Sequence, residues 1–289
     1  MKPIENSTLG IVGLGLMGGA IARSVRNEGI IPRGAAGRIL GCDLDGDTRA
    51  AARAGGVIDE GYASPESMLG RCDLIFLCLN PAALLEFMKT WMGAFRPGTL
   101  ITDIAGIKGS IAAVMETALR DDLDFIPGHP MAGSEKGGYG NAEKCDFHGK
   151  NYILTPLKRN KDENLAYLKA LIYRMGFSRI TCTTPEEHDR KIAFTSQLCH
   201  VIAAALIACE DDREITRFGG GSFEDLTRIA MLNVPLWTEL FRENRTELLR
   251  RIEQFEGSLE KIKRLITGEE KEELQEVLET IRDRRAAMG

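Results

Sequence analysis

The chain is short of histidine, has no paired cysteines, no basic stripe and no apolar leader, and each shortage removes a class of function. Only four histidines occur, His129, His148, His188 and His200, and no two stand at metal-ligand spacing. The seven cysteines are scattered, include no C-x-x-C pair and total an odd number. Neither a zinc site nor a disulfide framework is therefore expected, and no metal is assigned. Unpaired thiols of this kind belong to a cytoplasmic protein. A net charge of -5 with no basic stripe gives nucleic acid no footing. The first five residues hold no signal core, and no uninterrupted apolar run approaches the roughly 18 residues of a membrane span. No membrane partner is expected.

What is present begins with Gly10-Ile11-Val12-Gly13-Leu14-Gly15-Leu16-Met17-Gly18-Gly19-Ala20. A short apolar strand signal runs into a helix signal, with glycine at 13, 15 and 18. In a G-x-G-x-x-G turn the first glycine permits the sharp exit from the strand, the second admits a pyrophosphate, and the third lets helix pack on sheet. The helix start at Leu16 and Met17 then offers free N–H groups and a positive dipole end to phosphates. Asp43 closes the next strand, where an acid accepts hydrogen bonds from the adenosine ribose. Leu44-Asp45-Gly46-Asp47-Thr48 adds two carboxylates and no base, which would repel a 2′-phosphate. The cofactor expected is NAD.

Strand and helix signals then alternate. Cys72 to Leu79 is a near-continuous apolar run such as a strand buried on both faces produces, ended by Asn80-Pro81, and Asn80 is expected to border the cofactor. Thr99 to Ile104 and Asp124 to Pro127 read as further strands, Asn151 to Pro156 and Ser178 to Cys182 as the last two. This rhythm predicts an α/β fold with a doubly wound parallel sheet. Beyond Pro185 the alternation stops. His188 to Glu210, apolar nearly all round in its second half, reads as a helix buried in a bundle or a subunit interface. Phe223 to Met231, Pro235 to Phe255 and Gly257 to Arg285 read as helices. Two domains follow, 1–182 for the cofactor and 183–289 all-α, with no regulatory domain expected beyond.

Gly128-His129-Pro130-Met131-Ala132-Gly133-Ser134-Glu135-Lys136-Gly137-Gly138-Tyr139-Gly140 holds too many glycines for a regular element, yet carries a histidine, a serine, a glutamate and a lysine. A loop so equipped beyond a sheet strand suits a reacting centre, and His129 is the acid–base candidate.

Gly13 to Gly18, Gly128 to Glu135, Glu187-His188-Asp189, Ser196-Gln197-Leu198-Cys199-His200 and Phe223 to Ala230 together resemble the prephenate dehydrogenase family of tyrosine biosynthesis, in order from about residue 9 to residue 245. The resemblance implies an N-terminal Rossmann-type domain followed by an all-α dimerisation domain. The activity it implies is NAD-dependent oxidative decarboxylation of prephenate, or of arogenate. By the same likeness His129 is the catalytic base, needing a neutral imidazole with a pKa near 7. Arg228 meets a substrate carboxylate, and Asp225, His200, Gln197, Ser134 and Glu135 border the substrate. A homodimer is implied. Gly106 stands where many members carry a serine that bonds the catalytic histidine, so that partner is missing or supplied elsewhere. Two rivals remain: a β-hydroxyacid dehydrogenase, for which Lys191 is the one candidate lysine, and a non-catalytic NAD-binding protein.

Overall fold

Thr8–Val12 forms β1, whose last four residues are buried, as befits a strand inside a parallel sheet. The structure, a computed structural model, describes residues 2–133, 136–268 and 271–288. The chain continues through α1 (Leu16–Asn27), β2 (Arg38–Cys42), α2 (Gly46–Ala54), β3 (Glu60–Tyr62), the short α3 (Glu66–Leu69) and β4 (Leu74–Leu77). It goes on through α4 (Pro81–Trp91), β5 (Leu100–Asp103), α5 (Gly109–Ala118) and β6 (Asp124–Ile126). These six strands are all parallel, in the order β3-β2-β1-β4-β5-β6. The expected doubly wound sheet is present.

Alternation along the strands divides the core in two. Leu9, Ile11, Leu74 and Phe76 pack with Ala20, Ile21 and Val25 of α1 on one face. Ile75, Leu77, Leu40 and Ile101 pack with Met68, Leu84 and Ile111 from α3, α4 and α5 on the other. Each such side chain contributes about 1.5–3 kcal/mol by leaving water, so the sheet is fixed from both sides.

Beyond β6 one expectation fails, and the last strands stand apart from the main sheet. Gly128–Pro130 is a strand, β7, rather than an irregular loop, and β8 (Asn151–Leu154) and β9 (Arg179–Cys182) do not extend the main sheet. The three form a separate sheet, β7 antiparallel to β8 and β8 parallel to β9, with α6 (Asp162–Arg174) between the latter two. Pro127, lying between β6 and β7, has no N–H to continue a ladder, and its carbonyl instead accepts from Thr155 N–H at 3.0 Å. The chain therefore turns out of the first sheet and sets His129 opposite Ile153 in the second.

The helical region starts with α7 (Pro185–Ile192), capped by Thr184, whose hydroxyl accepts from Glu187 N–H. A π-helical turn over Ala193–Gln197 joins it to α8 (Leu198–Ala208). By length and composition the stretch Pro185–Ala208 could cross a membrane, which the count of uninterrupted apolar runs missed because Thr195, Ser196, Gln197 and His200 punctuate it. Within α8 only Leu198 and Ala203 are buried, and Leu206 and Ile207 are 39% and 44% exposed. Then come α9 (Gly221–Thr227), α10 (Val234–Glu243), α11 (Arg245–Thr267) and α12 (Lys271–Ala286). The break expected at Gly257 falls at Asn244 instead, and Gly257 lies inside α11. Asn244 Nδ2 donates to Asp189 O at 2.9 Å and to Gln197 Oε1 at 2.8 Å. Those buried bonds hold the corner where helical geometry stops.

Candidate active site

The turn between β1 and α1 is built for a dinucleotide. Gly13 has φ +86°, and a Cβ there would lie 2.5 Å from the Cys78 carbonyl oxygen. A Cβ on Gly18 would lie 1.8 Å from the Gly13 carbonyl oxygen. Gly15, by contrast, has nothing within 4 Å of that position, leaving open space beside the start of α1, which no side chain caps. Leu16 and Met17, half-buried, open that helix. Asp43 sits at the end of β2 with Oδ2 accepting Leu14 N–H at 2.7 Å and Oδ1 accepting Asp45 N–H at 2.9 Å. Open room at Gly15, unpaired donors at a helix start and a fixed carboxylate across the turn suit NAD.

Two further groups frame that cradle. Arg49, just beyond the acidic turn, donates to the carbonyls of Asp43 and Leu44 at 2.6 and 3.0 Å. Asn80 precedes α4 in extended conformation, exposed, with its side chain uncommitted to a cap. One residue inside α4, Ala82 N–H donates to Glu239 Oε1 at 2.5 Å, which ties α10 to the cofactor edge.

Asp103, the last residue of β5, organises the reacting end. Its Oδ1 accepts Gly128 N–H at 3.0 Å, and its Oδ2 accepts Ala105 N–H at 2.9 Å and Lys108 Nζ at 2.5 Å. Both side chains of this ion pair are completely buried. The strand carrying His129 and the turn carrying Gly106 are thereby pinned to one carboxylate. Leu240 of α10 would lie 3.4 Å from a Cβ on Gly106, and His129 Cε1 3.9 Å from it. His129 Nδ1 lies 2.9 Å from His188 Nε2, and His188 Nδ1 lies 2.7 Å from Asp189 Oδ1.

The electrostatics correct the expected pKa near 7. Burial, then the neighbouring His188, then Lys108 hold His129 well below the ordinary 6.5. Burial likewise pulls His188 down, with Asp189 opposing. Burial also lowers Lys108, against the pull of Asp103. The His129 imidazole is neutral at pH 7 and ready to accept a proton.

A second group gathers around α8. His200 stacks on Trp237 of α10, ring centroids 3.6 Å apart, and its Nδ1 donates to Ser196 O at 2.9 Å. Its pKa is lowered, by burial first and by the charge of Arg228 in addition. Arg228 and Asp225 line a cavity of about 730 Å³ beside Leu206 and Ile207, which neither His129 nor His200 lines. Helix α10 spans the two groups, with Trp237 on His200 and Leu240 on Gly106.

Gln197 is a correction. It is 1% exposed, its Nε2 donates to Leu240 O at 3.4 Å and its Oε1 accepts from Asn244. Buried and bonded at both ends of its amide, it braces the α10–α11 corner and is closed to solvent. Ser134 and Glu135 lie outside the described residues. Lys191 is exposed and paired with Glu187 at 3.7 Å, an unsuitable setting for a catalytic lysine. From the sequence alone no role was given to His188, Asp189, Lys108, Asp103 or Trp237. Only the adjacent His188-Asp189 pair after the Pro185 helix start carried a signal.

Comparison with known proteins covers nearly the whole chain. The family described as "Prephenate dehydrogenase, nucleotide-binding domain" matches residues 21–180, and "Prephenate dehydrogenase, dimerization domain" matches 184–280. The prephenate dehydrogenase of Bacillus subtilis is 28% identical over 284 residues, 96% of this chain and 75% of its own length. The crystal structure of prephenate dehydrogenase from A. aeolicus in complex with hydroxyphenyl propionate and NAD+ has a TM-score of 0.86 at 31% identity, covering 98% of both chains. That of Synechocystis arogenate dehydrogenase has a TM-score of 0.79 at 27% identity, covering 98% of this chain and all of the other.

Proposed function

The chain belongs to the prephenate dehydrogenase family, and from that premise we propose that it converts prephenate to 4-hydroxyphenylpyruvate with NAD as oxidant, His129 acting as base. The observation that carries the proposal is a histidine fixed on β7 and bonded to His188 at 2.9 Å, at the end of a parallel sheet whose first turn suits a dinucleotide. Gly13, Gly15, Leu16, Met17, Gly18, Asp43 and Asn80 would hold NAD. When bound, NAD takes a hydride from the substrate ring carbon that bears the hydroxyl.

His129 Nε2 accepts the hydroxyl proton as the C–H bond breaks, so the oxygen becomes a carbonyl without building positive charge. The ring carboxylate then leaves as carbon dioxide, its electrons complete the aromatic ring, and the resulting phenolate takes the proton back from His129. No net proton is lost. Burial keeps the imidazole neutral at pH 7, so its lone pair is available when the hydroxyl proton leaves.

Prephenate carries two carboxylates, and Arg228 is the cation assigned to one of them, with Asp225 and His200 beside it. Arg228→Ala is expected to raise KM for substrate more than it lowers kcat; steady-state kinetics showing the reverse would remove Arg228 from that role. The depressed His129 also fixes a pH profile. Activity is expected to stay level through pH 7 and past pH 6.5, and to fall only well below that value, where the base becomes protonated. A rate that climbs through pH 7 would contradict it.

We take the domain boundary to follow Cys182, the last residue of β9, just before α7 begins. A homodimer through α8 and its neighbours is supported by the exposed Leu206 and Ile207 and by the matched dimerisation region. All seven cysteines are unbridged, which supports a reducing, cytoplasmic location. The test is to mix protein, NAD and prephenate, with arogenate in parallel, and follow absorbance of the reduced nicotinamide. No signal with either substrate overturns the proposal, and turnover of arogenate alone replaces the substrate.

A further inference from the structure

We propose that His188, backed by Asp189, is the positioning residue that sets the tautomer of His129, placing hydrogen on Nδ1 and leaving the Nε2 lone pair for the substrate hydroxyl. This rests on the reading of His129 as the base. The direction of every bond in the chain follows from one carboxylate. Asp189 Oδ1 accepts Lys108 N–H at 2.8 Å and Oδ2 accepts Gly109 N–H at 2.7 Å. Its oxygens are acceptors, so His188 Nδ1 at 2.7 Å must donate. A neutral imidazole with hydrogen on Nδ1 has a bare Nε2. That nitrogen, 2.9 Å from His129 Nδ1, can only accept. His129 therefore carries its hydrogen on Nδ1, and its Nε2 is free to take a proton.

His188 suits the task because it is 1% exposed, so water does not compete for either ring nitrogen. Gly106, close enough to His129 for a side chain to have reached it, offers none. Orientation of the base thus falls to a residue 59 positions away, on a helix of the C-terminal region. Asp189 also caps the start of α5 through the same two backbone bonds, so α7 is docked on the nucleotide-binding domain by the carboxylate that orders the two histidines. Where a base in another enzyme family lost the carboxylate fixing its tautomer, turnover fell about 10⁴-fold. Here the ring stays tethered by β7, and a smaller loss follows.

The test compares His188→Gln, His188→Leu and His129→Asn, by steady-state kinetics with NAD and prephenate and by long-range 15N–1H spectra of the His129 ring. Glutamine sets an amide oxygen near the site of His188 Nε2 and can accept from His129; leucine cannot. The wild-type spectrum is expected to show His129 with hydrogen on Nδ1. His188→Leu is expected to lower kcat about 10- to 100-fold with both KM values within about twofold, and to populate the other tautomer. His188→Gln should recover most of kcat. The proposal is overturned by hydrogen on Nε2 in the wild type, by wild-type kcat in His188→Leu, or by equal losses in the two variants. The ring spectrum is read without turnover, and His129→Asn tests the base itself, so failure of that reading is distinguishable. If His188→Leu does not fold, the wild-type spectrum and His188→Gln still decide.

Discussion

His129→Asn is expected to lower kcat by about 10²-fold or more while NAD binds as before, because removal of a positioned base typically costs 10²–10⁴-fold. The separation of the two effects follows from where the residue sits. The cofactor cradle is made by the β1–α1 turn and Asp43, and His129 makes no bond to any of them. Its backbone pairs with Ile153 and its strand is held by Asp103, neither of which needs an imidazole. The local fold should therefore survive. Among the described residues neither neighbour can replace the base: His188 has both nitrogens committed, and the Lys108 ammonium is bound to Asp103. Turnover of prephenate together with NAD affinity by titration checks the prediction. An unchanged kcat removes His129 from the chemistry, and lost NAD affinity makes its role architectural.

What could be read in the sequence was whatever is local along the chain. The glycine turn, the acid closing β2, the buried strand β4 and the histidine after β6 each announce themselves within a dozen residues, because turn chemistry and apolar periodicity are short-range. The departures all depend on partners far apart. Asn151 to Leu154 reads as a strand, but nothing local says that it pairs with Gly128–Pro130 instead of joining the main sheet. The corner at Asn244 is set by contacts to Asp189 and Gln197, which lie 55 and 47 positions earlier. The same long reach hid the orientation of the base. His188 was visible as a histidine beside an aspartate, and only packing of α7 on α5 brings it to His129. Gln197 shows the opposite error, since a polar residue beside a functional histidine can turn inward to satisfy a helix corner.

Lys108→Met is expected to destabilise the protein by about 3–5 kcal/mol, the usual cost of leaving one member of a buried ion pair unpaired. For a protein of this size that corresponds to a fall in Tm of about 10 °C. The magnitude comes from burial. Lys108 and Asp103 are both inaccessible to solvent, so after substitution the carboxylate keeps its desolvation cost and loses its counter-charge. The pair Lys89 and Glu86 on α4 has the same chemistry at 3.7 Å, but its side chains are 80% and 68% exposed. Lys89→Met is expected to change stability by less than about 1 kcal/mol. Activity should fall with Lys108 too, since the carboxylate it neutralises holds Ala105 and Gly128 and so sets the distance from Gly106 to His129. Thermal denaturation of both variants beside the wild type decides the matter. Equal shifts for Lys108→Met and Lys89→Met would mean that the buried pair is not what holds the reacting end of the sheet together.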